Sequence, residues 1–407
     1  MQTLCCVIFQ SLADYSFTKL EQKSVSALAA ILGLRMIGLF LILPVLALHA
    51  PGLTHSTAYL IGFALGGYGL TQALLQSPFG ALSDRLGRKP MITIGLLIFA
   101  LGSVVAAEST TIYGVIIGRV LQGGGAISGV VLAFVGDLTR ESQRPKSMAI
   151  IGVTIGAAFT LSLMLGPLLD SWGGLRGLFW ISFATAVFAL IVLWTIVPNP
   201  PSSQPHSQRS GSMFAVFDIL TNRSLLVLFS GTLTIHALIT SLFLVLPTRL
   251  VDISNLSVDT MWQVFVPVVL LSLLGMFPLI RASRNKKSSH SIIIIAAALV
   301  AVAFAFMYSG AYFDSVSILV FGLWMFFVGF NTLEAIFPST AVSLSPSGKR
   351  GATMGVFNTC TFSGAFLGGV IGGTVYSYLG PDSVLLVSGV AILLWTMLIS
   401  IRHFSKK

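Results

Sequence analysis

Long apolar segments alternate with short polar stretches along almost the whole chain. Each segment has about the 20 residues that an α-helix needs to cross a bilayer. The strands of a membrane barrel would instead give alternating segments of about 10 residues, and the sequence has none. The pattern predicts an all-α polytopic membrane protein with twelve transmembrane helices. The predicted spans are 25–48, 57–81, 90–108, 110–136, 145–169, 177–197, 224–247, 259–281, 291–310, 315–342, 350–378 and 384–402.

A stretch between the sixth and seventh spans is rich in proline and serine and has no apolar periodicity, which is typical of a linker. A weak repeat relates the six spans before it to the six after it. With a shift of 203 residues, Gly152 matches Gly355 and Gly166 matches Gly369. Internal repeats of this kind build transporters whose halves rock around a central site. The predicted domains are a cytoplasmic N-terminal tail (1–24), a first six-helix bundle (25–197), a cytoplasmic linker (198–223), a second six-helix bundle (224–402) and a cytoplasmic tail (403–407).

Charged residues make up only 9% of the chain, whereas soluble domains have about 25%. The net charge is nevertheless +10. Of the 23 basic residues, 19 lie in the tails and the even-numbered loops, and only Arg176 and Arg249 lie in odd-numbered loops. The positive-inside rule therefore predicts that both termini are cytoplasmic. Because the basic residues follow the topology and form no soluble domain, they favour contact with anionic lipids over nucleic-acid binding.

The three cysteines predict no disulfide, because Cys5 and Cys6 are adjacent in the tail and Cys360 lies in a span. The sequence has no zinc-ligand spacing, nucleophile–base pair or phosphate loop, so it predicts neither a metal site nor an enzyme. No signal peptide precedes the first span, which we expect to act as the targeting signal itself.

A charged turn separates the second and third spans. It has the pattern G-x-x-x-D-R-x-G-R-K, which resembles a motif of the major facilitator superfamily. Its residues are Gly80, Asp84, Arg85, Gly87, Arg88 and Lys89. The resemblance implies a latch that holds two halves together on the cytoplasmic side and stabilises an outward-open state. In such a latch Asp84 faces the N-terminus of span eleven near Gly351, where a helix dipole favours a carboxylate, and Arg88 pairs with Asp137 at the end of span four.

Two glycine-containing motifs lie in spans four and five. Span four contains Arg119-Val-Leu-Gln122-Gly123, which resembles the R-x-x-Q-G motif of the superfamily, whose arginine is linked to proton coupling. Span five contains Gly152-Val-Thr-Ile-Gly156 and then Gly166-Pro167, which partly resembles the motif described for antiporters. Ordinary close packing of helices through small residues explains the second motif equally well.

Few ionisable residues lie inside the spans, and such residues are functional candidates because a charge in the membrane costs several kcal/mol unless it is paired or hydrated. We expect Glu334 of span ten to carry the proton and His236 of span seven to be a second carrier or a relay. The alternatives are a static ion pair of Glu334 with Arg35 or Arg119, and a hydrogen-bonded core role for His236. Arg35 is expected to be a charge partner or a substrate contact and not a titrating group, because arginine stays protonated. For Arg119 the resemblance of its motif implies a part in proton coupling.

Polar and aromatic residues in several spans predict a substrate cavity between the two halves. The polar candidates are Arg35, Tyr68, Gln72, Gln76, Asn331 and Asn358. The aromatic candidates are Phe40, Trp324, Phe327, Phe330 and Phe362. Spans one to six contain no acid at mid-depth. The first half is therefore locally positive, which favours neutral or anionic amphiphiles over dications as cargo.

The motifs together resemble the drug–proton antiporter branch of the superfamily over all twelve spans. The supporting runs are Arg35 to Pro44, the charged turn, Asp137 to Glu141 and Glu334 to Pro338. Similar members of that branch carry a soluble domain after the last span, which we do not expect here because Lys407 lies five residues past the predicted membrane edge.

The resemblance implies the major facilitator fold and a monomeric multi-pass transporter of the bacterial inner membrane. Its partners would be lipid, protons and a small-molecule substrate, with no nucleic acid, metal or cofactor beyond the proton gradient. We expect a proton-coupled antiporter that exports small amphiphilic molecules by alternating access. A proton-linked uptake symporter and a transport-dead sensor or scaffold are the alternatives.

Overall fold

A computed structural model describes residues 17–199, 213–254, 260–283, 286–346 and 349–404. In this part of the chain almost every residue is helical, which confirms the all-α prediction, and the one β contact is an isolated bridge between Thr54 and Thr111. The first-half helices are α1 (Lys19–Phe40), α2 (Leu43–His49), α3 (Ala58–Leu86), α4 (Arg88–Ala107), α5 (Ile112–Gly124), α6 (Ser128–Leu138) and α7 (Arg144–Thr195). The remaining helices are α8 (Met213–Thr221), α9 (Arg223–Ser254), α10 (Trp262–Ser283), α11 (Lys286–Tyr312), α12 (Val316–Leu344), α13 (Arg350–Leu379) and α14 (Pro381–Phe404).

Within the described residues, 11 helical segments are long and apolar enough to cross a membrane. One of them, Glu141–Thr195, has 55 residues. At about 1.5 Å per residue it is roughly 80 Å long, more than twice the ~30 Å hydrocarbon thickness. Gly174 interrupts it with φ 59° and ψ −158°. Gly174 therefore divides this segment into two helices, which correspond to the predicted spans five and six.

Spans one and four, predicted as continuous helices, are each broken near mid-depth. Span one divides between α1 and α2, where Pro44 lacks the amide hydrogen needed to continue the helix. Span four divides between α5 and α6 at Gly125. A Cβ atom on Gly125 would lie 2.3 Å from the carbonyl oxygen of Gly95, so the break sits where two backbones touch.

Two helices extend into segments predicted to be irregular. The first begins at Lys19, not at residue 25, because Thr18 caps it and accepts a hydrogen bond from the Glu21 amide while Glu21 accepts one from the Thr18 amide. The second, α8, occupies Met213–Thr221 of the predicted linker. The capping box explains the early start of the first helix, and a short apolar run explains why α8 is helical beside a proline-rich segment.

In the part of the chain that the structure describes, the close contacts between the two halves lie toward one end of the bundle. We call the end with the charged turn between α3 and α4 the latch end, and the opposite end the far end. Toward the far end α3 packs against α13, and a Cβ atom on Gly62 would lie 2.2 Å from the Gly369 carbonyl oxygen. At the latch end a Cβ atom on Gly80 or Gly351 would have no atom of another element within 4 Å. The structure is therefore closed at the far end and open at the latch end.

Candidate proton and substrate site

A chain of aromatic rings crosses the boundary between the halves. The ring of Phe40 packs edge-on against Tyr68 and Phe159, with centroids 6.4 and 5.1 Å away. Phe159 lies 5.8 Å from Phe330 of the second half, and Tyr68 lies 6.4 Å from Phe362 of the second half. We call these five residues the aromatic layer. It separates the closed far end from the open latch end.

Glu334 and His236 form a pair directly below the aromatic layer. Glu334 follows Phe330 by one turn of α12 on the side of the latch end, and its Oε2 lies 3.6 Å from Nε2 of His236 on α9. The Glu334 side chain is 36% exposed and the His236 side chain 15% exposed. The ring of His236 also rests 6.0 Å from that of Phe330. The pair therefore combines access to the open side with contact to the aromatic layer.

The hydrogen bonds of His236 determine which ring nitrogen faces the acid. Nδ1 of His236 lies 2.8 Å from the carbonyl oxygen of Thr232, which can only accept, so Nδ1 carries a proton. Nε2 then faces Glu334 and can hold a second proton or accept one. One oxygen of Glu334 is buried and makes no hydrogen bond in the described structure. This oxygen, Oε2, is the one that faces His236.

Backbone carbonyl groups and a glutamine of the first half, and not an acid, accept the hydrogen bonds of Arg119. It is fully buried in α5, and Nε donates to the Ala64 carbonyl oxygen (3.2 Å) while Nη1 donates to the Leu39 carbonyl oxygen (3.2 Å) and to Oε1 of Gln122 (2.9 Å). Its guanidinium also lies 4.6 Å from the centre of the Tyr68 ring. Arg119 thus links α1, α3 and α5 through backbone carbonyls.

Arg35 is also fully buried and has fewer partners. Its Nη2 donates to Oε1 of Gln72 at 2.5 Å, and its guanidinium lies 5.7 Å from the Phe99 ring. Its Nε and Nη1 atoms have no hydrogen-bond partner among the residues that the structure describes. In the described part of the chain no carboxylate pairs with Arg35 or Arg119. The alternative of a static ion pair between Glu334 and an arginine is therefore absent from this conformation.

The predicted polar cavity residues lie in different environments. Tyr68, Gln72 and Gln76 are buried in this conformation. Tyr68 lies at the boundary between the halves, against Phe362 of the second half. Asn331 is partly buried and donates to the Ser272 hydroxyl on α10 at 3.1 Å, and Asn358 is partly exposed on α13.

The predicted aromatic residues also divide into groups. Phe40, Phe330 and Phe362 belong to the aromatic layer. Phe327 is buried in the core of the second half, and Trp324 lines a separate groove of ≈ 440 Å³ between α10 and α12. On α12, Trp324, Phe327 and Phe330 lie in three different environments although they are spaced only three residues apart. Sequence spacing therefore did not distinguish them.

The charged turn makes its ion pairs within the first half. Arg88 lies 2.6 Å from Asp84 and 2.8 Å from Asp137, which joins α3, α4 and α6. Lys89 donates to the Val197 carbonyl oxygen at 2.7 Å, and Arg85 is exposed. The turn itself is made at the positive φ (95°) of Gly87.

The expected contact between Asp84 and the start of α13 is not made in this conformation. The space beside Gly351 is empty of other elements, and Asp84 instead pairs with Arg88. The physical reason is that the halves have separated at the latch end, so the carboxylate pairs within its own turn.

Two contacts between a buried acid and a partly exposed basic side chain were missed by sequence reasoning. Nε2 of His49 lies 2.8 Å from Asp170, whose side chain is 1% exposed, near the far end. Glu21 accepts hydrogen bonds from the backbone and the guanidinium of Arg140 at the latch end. The T-x-x-E capping pattern of Thr18 and Glu21 signals the second pair. The first pair has no local signal, because its members are 121 residues apart.

Comparison with known proteins places this geometry in a family. The Major Facilitator Superfamily model matches residues 27–369. The inner membrane transport protein YajR of Escherichia coli (strain K12) is 37% identical over 383 residues, which cover 94% of this chain and 84% of YajR. An uncharacterized transporter of Buchnera aphidicola is 33% identical over 350 residues, which cover 86% of this chain and 89% of the relative.

Solved structures with low sequence identity share the fold alone. A bacterial homologue of the human lysosomal transporter Spinster, in an inward-facing and unoccupied conformation, has a TM-score of 0.74 at 14% identity, covering 96% of this chain and 99% of that one. A D-xylose–proton symporter also has a TM-score of 0.74 at 14% identity, with coverage of 92% and 96%. The fold, the family model and the two relatives agree. The chain is a multi-pass membrane transporter that belongs to the Major Facilitator Superfamily.

Proposed function

We propose that the protein is a proton-coupled secondary transporter that exports small amphiphilic molecules by alternating access. The observation that carries this proposal is the pair of Glu334 and His236 beneath the aromatic layer, 3.6 Å apart and partly exposed. A carboxyl group beside an imidazole gives a site that binds or releases a proton without leaving a lone buried charge.

The distribution of basic residues supports an orientation with both termini in the cytoplasm. The latch end then faces the cytoplasm, and the conformation described is open toward it. An exporter loads its cargo from that side. Glu334 lies on the open side of the aromatic layer, so in this state it exchanges protons with the cytoplasm. When the halves tilt to close the latch end, the pair becomes accessible from the far end.

Proton binding and cargo binding compete in this scheme. Cargo that enters from the cytoplasm meets the aromatic layer, whose rings offer apolar surface, and lies next to Glu334. Release of the proton from the Glu334–His236 pair to the cytoplasm accompanies cargo loading. Binding of a proton from the far side then favours cargo release. The inward proton gradient thereby drives export without any other cofactor.

Cargo chemistry follows from the charge of the two halves. Arg35 and Arg119 are buried without a paired acid, so the first half repels cations. We propose neutral or anionic amphiphiles as cargo. Export of paired dyes from cells tests this point: neutral dyes should be exported, and strong export of cationic dyes with none of the neutral ones would contradict it.

Reconstituted transport across an imposed pH gradient tests the function itself. Liposomes with the wild-type protein should show gradient-driven flux of a neutral amphiphilic dye, and Glu334→Gln should reduce that flux to background while the protein stays folded. Glu108→Gln is the matched control, because Glu108 lies just beyond the end of α4 at Ala107, in an exposed pair with Arg176, and it should transport like the wild type.

The direction of coupled proton movement separates the alternatives. Addition of cargo to vesicles with a known orientation should move protons opposite to cargo. Proton movement in the same direction as cargo would identify an uptake symporter. Absence of any flux for the wild type, with a folded protein in the bilayer, would identify a sensor or scaffold.

A further inference from the structure

A buried hydroxyl group lies on the Nδ1 side of the His236 ring, whereas Nε2 of the ring faces Glu334. Thr232 is one turn before His236 on α9 and is 0% exposed. Its Oγ1 atom lies 3.1 Å from Oγ1 of Thr361 on α13 and 3.4 Å from Nδ1 of His236. The two threonine hydroxyls therefore connect the imidazole ring to a neighbouring helix.

The proton of the Thr361 hydroxyl sets the direction of these hydrogen bonds. Oγ1 of Thr361 donates to the carbonyl oxygen of Phe357 at 3.1 Å, and a carbonyl oxygen can only accept. Because a hydroxyl group has a single proton, Thr361 accepts and Thr232 donates in the contact between them. The Thr232 hydroxyl then has no proton for His236, so toward Nδ1 it can only accept.

The same arrangement favours one tautomer of the His236 ring. Nδ1 also lies 2.8 Å from the Thr232 carbonyl oxygen, so both oxygen atoms of Thr232 that approach Nδ1 are acceptors. A proton on Nδ1 satisfies them, whereas an unprotonated Nδ1 would place its lone pair opposite theirs. In the neutral ring the proton is therefore on Nδ1, and Nε2 is the acceptor on the side of Glu334.

Thr232 differs from neighbouring threonines in the direction of its hydroxyl group. Thr234 and Thr240 donate to carbonyl oxygens one turn earlier on α9, at 2.8 and 3.0 Å. Thr374 on α13 donates in the same way at 2.7 Å. The hydroxyl of Thr232 instead points across to α13, so Thr361 and not its own helix determines where its proton lies.

Close packing of α13 on α9 keeps Thr361 in this position. A Cβ atom on Gly364, one turn after Thr361, would lie 2.2 Å from the Leu233 carbonyl oxygen. A Cβ atom on Gly368 would lie 2.1 Å from the Ala237 carbonyl oxygen. The two backbones therefore touch beside the threonine contact. Because glycines allow helices to approach this closely, the distance between the two hydroxyls is set by the backbones that carry them.

We propose that Thr361 is a positioning residue of the proton site, which sets the tautomer of His236 by holding the Thr232 hydroxyl away from Nδ1. The ring then keeps its proton on Nδ1 and presents Nε2 to Glu334 as an acceptor. In the opposite tautomer Nε2 would donate to Glu334, stabilise its ionised carboxylate and so oppose its protonation. This inference rests on the proposed role of the Glu334–His236 pair in proton coupling.

NMR of nitrogen-labelled histidine side chains tests the proposal in the full chain, reconstituted in lipid at an alkaline pH where imidazole is neutral. The His236 signals are identified by their loss in His236→Gln, and the wild type should show the Nδ1–H tautomer. Thr361→Val leaves the Thr232 hydroxyl able to donate to Nδ1. The ratio of Nε2–H to Nδ1–H should then rise about fivefold, the factor that corresponds to one neutral hydrogen bond. Thr361→Ser keeps the acceptor and should match the wild type.

A double variant separates this role from a loss of packing. Thr361→Val combined with Thr232→Val removes the hydroxyl that could donate to Nδ1 and leaves the backbone carbonyl as its acceptor. The wild-type tautomer should therefore return, which damaged packing would not allow. Thr374→Val removes a hydroxyl that bonds its own helix and should change nothing. Gradient-driven flux in liposomes should fall in Thr361→Val and recover in Thr361→Ser and in the double variant.

The outcomes distinguish this inference from the proposed function. An unchanged tautomer ratio in Thr361→Val, or a ratio that the double variant does not restore, would overturn the inference. Unchanged flux in Thr361→Val would also overturn it, provided that Glu334→Gln abolishes flux. If the ratio shifts as expected while Glu334→Gln transports like the wild type, the action of Thr361 on the His236 tautomer is supported and the proposed proton coupling is contradicted.

Discussion

Among the described residues, the two halves differ in the ionisable side chains that lie inside the membrane and in how far solvent reaches them. The first half holds Arg35 and Arg119, both fully buried, and no acid among the described residues pairs with either. The second half holds Glu334 and His236, which face each other and are partly exposed. The weak sequence repeat that relates the halves does not extend to these residues.

Under the proposed mechanism this difference gives the halves separate tasks. Proton exchange requires a group that solvent can reach and whose charge can change, and we propose Glu334 and His236 for this role. Arginine keeps its charge, so a buried arginine is suited to positioning helices through carbonyl groups. In this proposal the second half carries the titrating centre and the first half the permanently charged one.

The largest expected effect comes from removing the titrating centre. Glu334→Gln and His236→Gln should each reduce gradient-driven flux strongly, because one proton site uses both side chains. The double variant should be no worse than Glu334→Gln alone, since residues that act as a unit are not additive. Flux in liposomes measures all three variants. Additive losses would show that the two residues act at separate sites.

The second effect concerns closure of the far end. Gly369→Ala places a methyl group 2.2 Å from the carbonyl oxygen of Gly62, and overpacking of this kind costs about 1–3 kcal/mol. We expect the population to shift about tenfold or more toward a conformation open at the far end, since ~1.4 kcal/mol corresponds to a factor of ten.

Distances between spin labels at His55 and Tyr378, one in each half at the far end, report this shift. The control is Gly177→Ala, where a Cβ atom would have no atom of another element within 4 Å, and it should leave the distance distribution unchanged. An unchanged distribution for Gly369→Ala would show that α3 and α13 do not form the far-end closure.

A smaller effect is expected at the latch. In the conformation described, the ion pair of Asp84 with Arg88 contributes little to stability, because the Asp84 side chain is 43% exposed. In the latch-closed state it is proposed to face the α13 N-terminus, where a carboxylate contributes roughly 0.3–1 kcal/mol. Asp84→Asn should therefore increase the latch-open population by up to a few-fold.

Labelling of a cysteine introduced at Gly355 measures the latch-open population, and it should become faster in Asp84→Asn. Glu141→Gln neutralises another exposed acid at the same end and should leave the labelling rate as it is. Equal rates in wild type and Asp84→Asn would remove Asp84 from the latch.

The smallest effect is expected at the exposed pair of Glu108 and Arg176, 2.7 Å apart at the far end. The hydrogen bond from Arg176 lowers the pKa of Glu108 below its ordinary value. The pair therefore contributes above the ordinary pKa and loses its contribution as the pH falls through the lowered one. Since both side chains are exposed, Glu108→Gln should leave the unfolding temperature and its acid dependence nearly unchanged. A large fall in the unfolding temperature of Glu108→Gln would mean that this exposed pair, and not the polar groups inside the membrane, is the main charged site.

Some features of the candidate site were predictable from local sequence and others were not. The charged turn and the rarity of acids inside the spans identified Asp84, Arg88 and Glu334 as candidates, because charges stand out in apolar surroundings. The capping box at Thr18 was also readable, although the predicted tail boundary passed over it. The breaks in spans one and four were not predicted, since glycine and proline are common in membrane helices that continue without interruption.

The sequence by itself determined the helical class, the number of spans and the location of the basic loops. These depend on local hydropathy and charge, which act segment by segment as a helix enters lipid. Only the tertiary structure decided that Glu334 faces His236 rather than an arginine, that Arg35 is left without an acid, and that the far end is the closed one. Those features depend on how helices distant in sequence pack together, which local hydropathy does not specify.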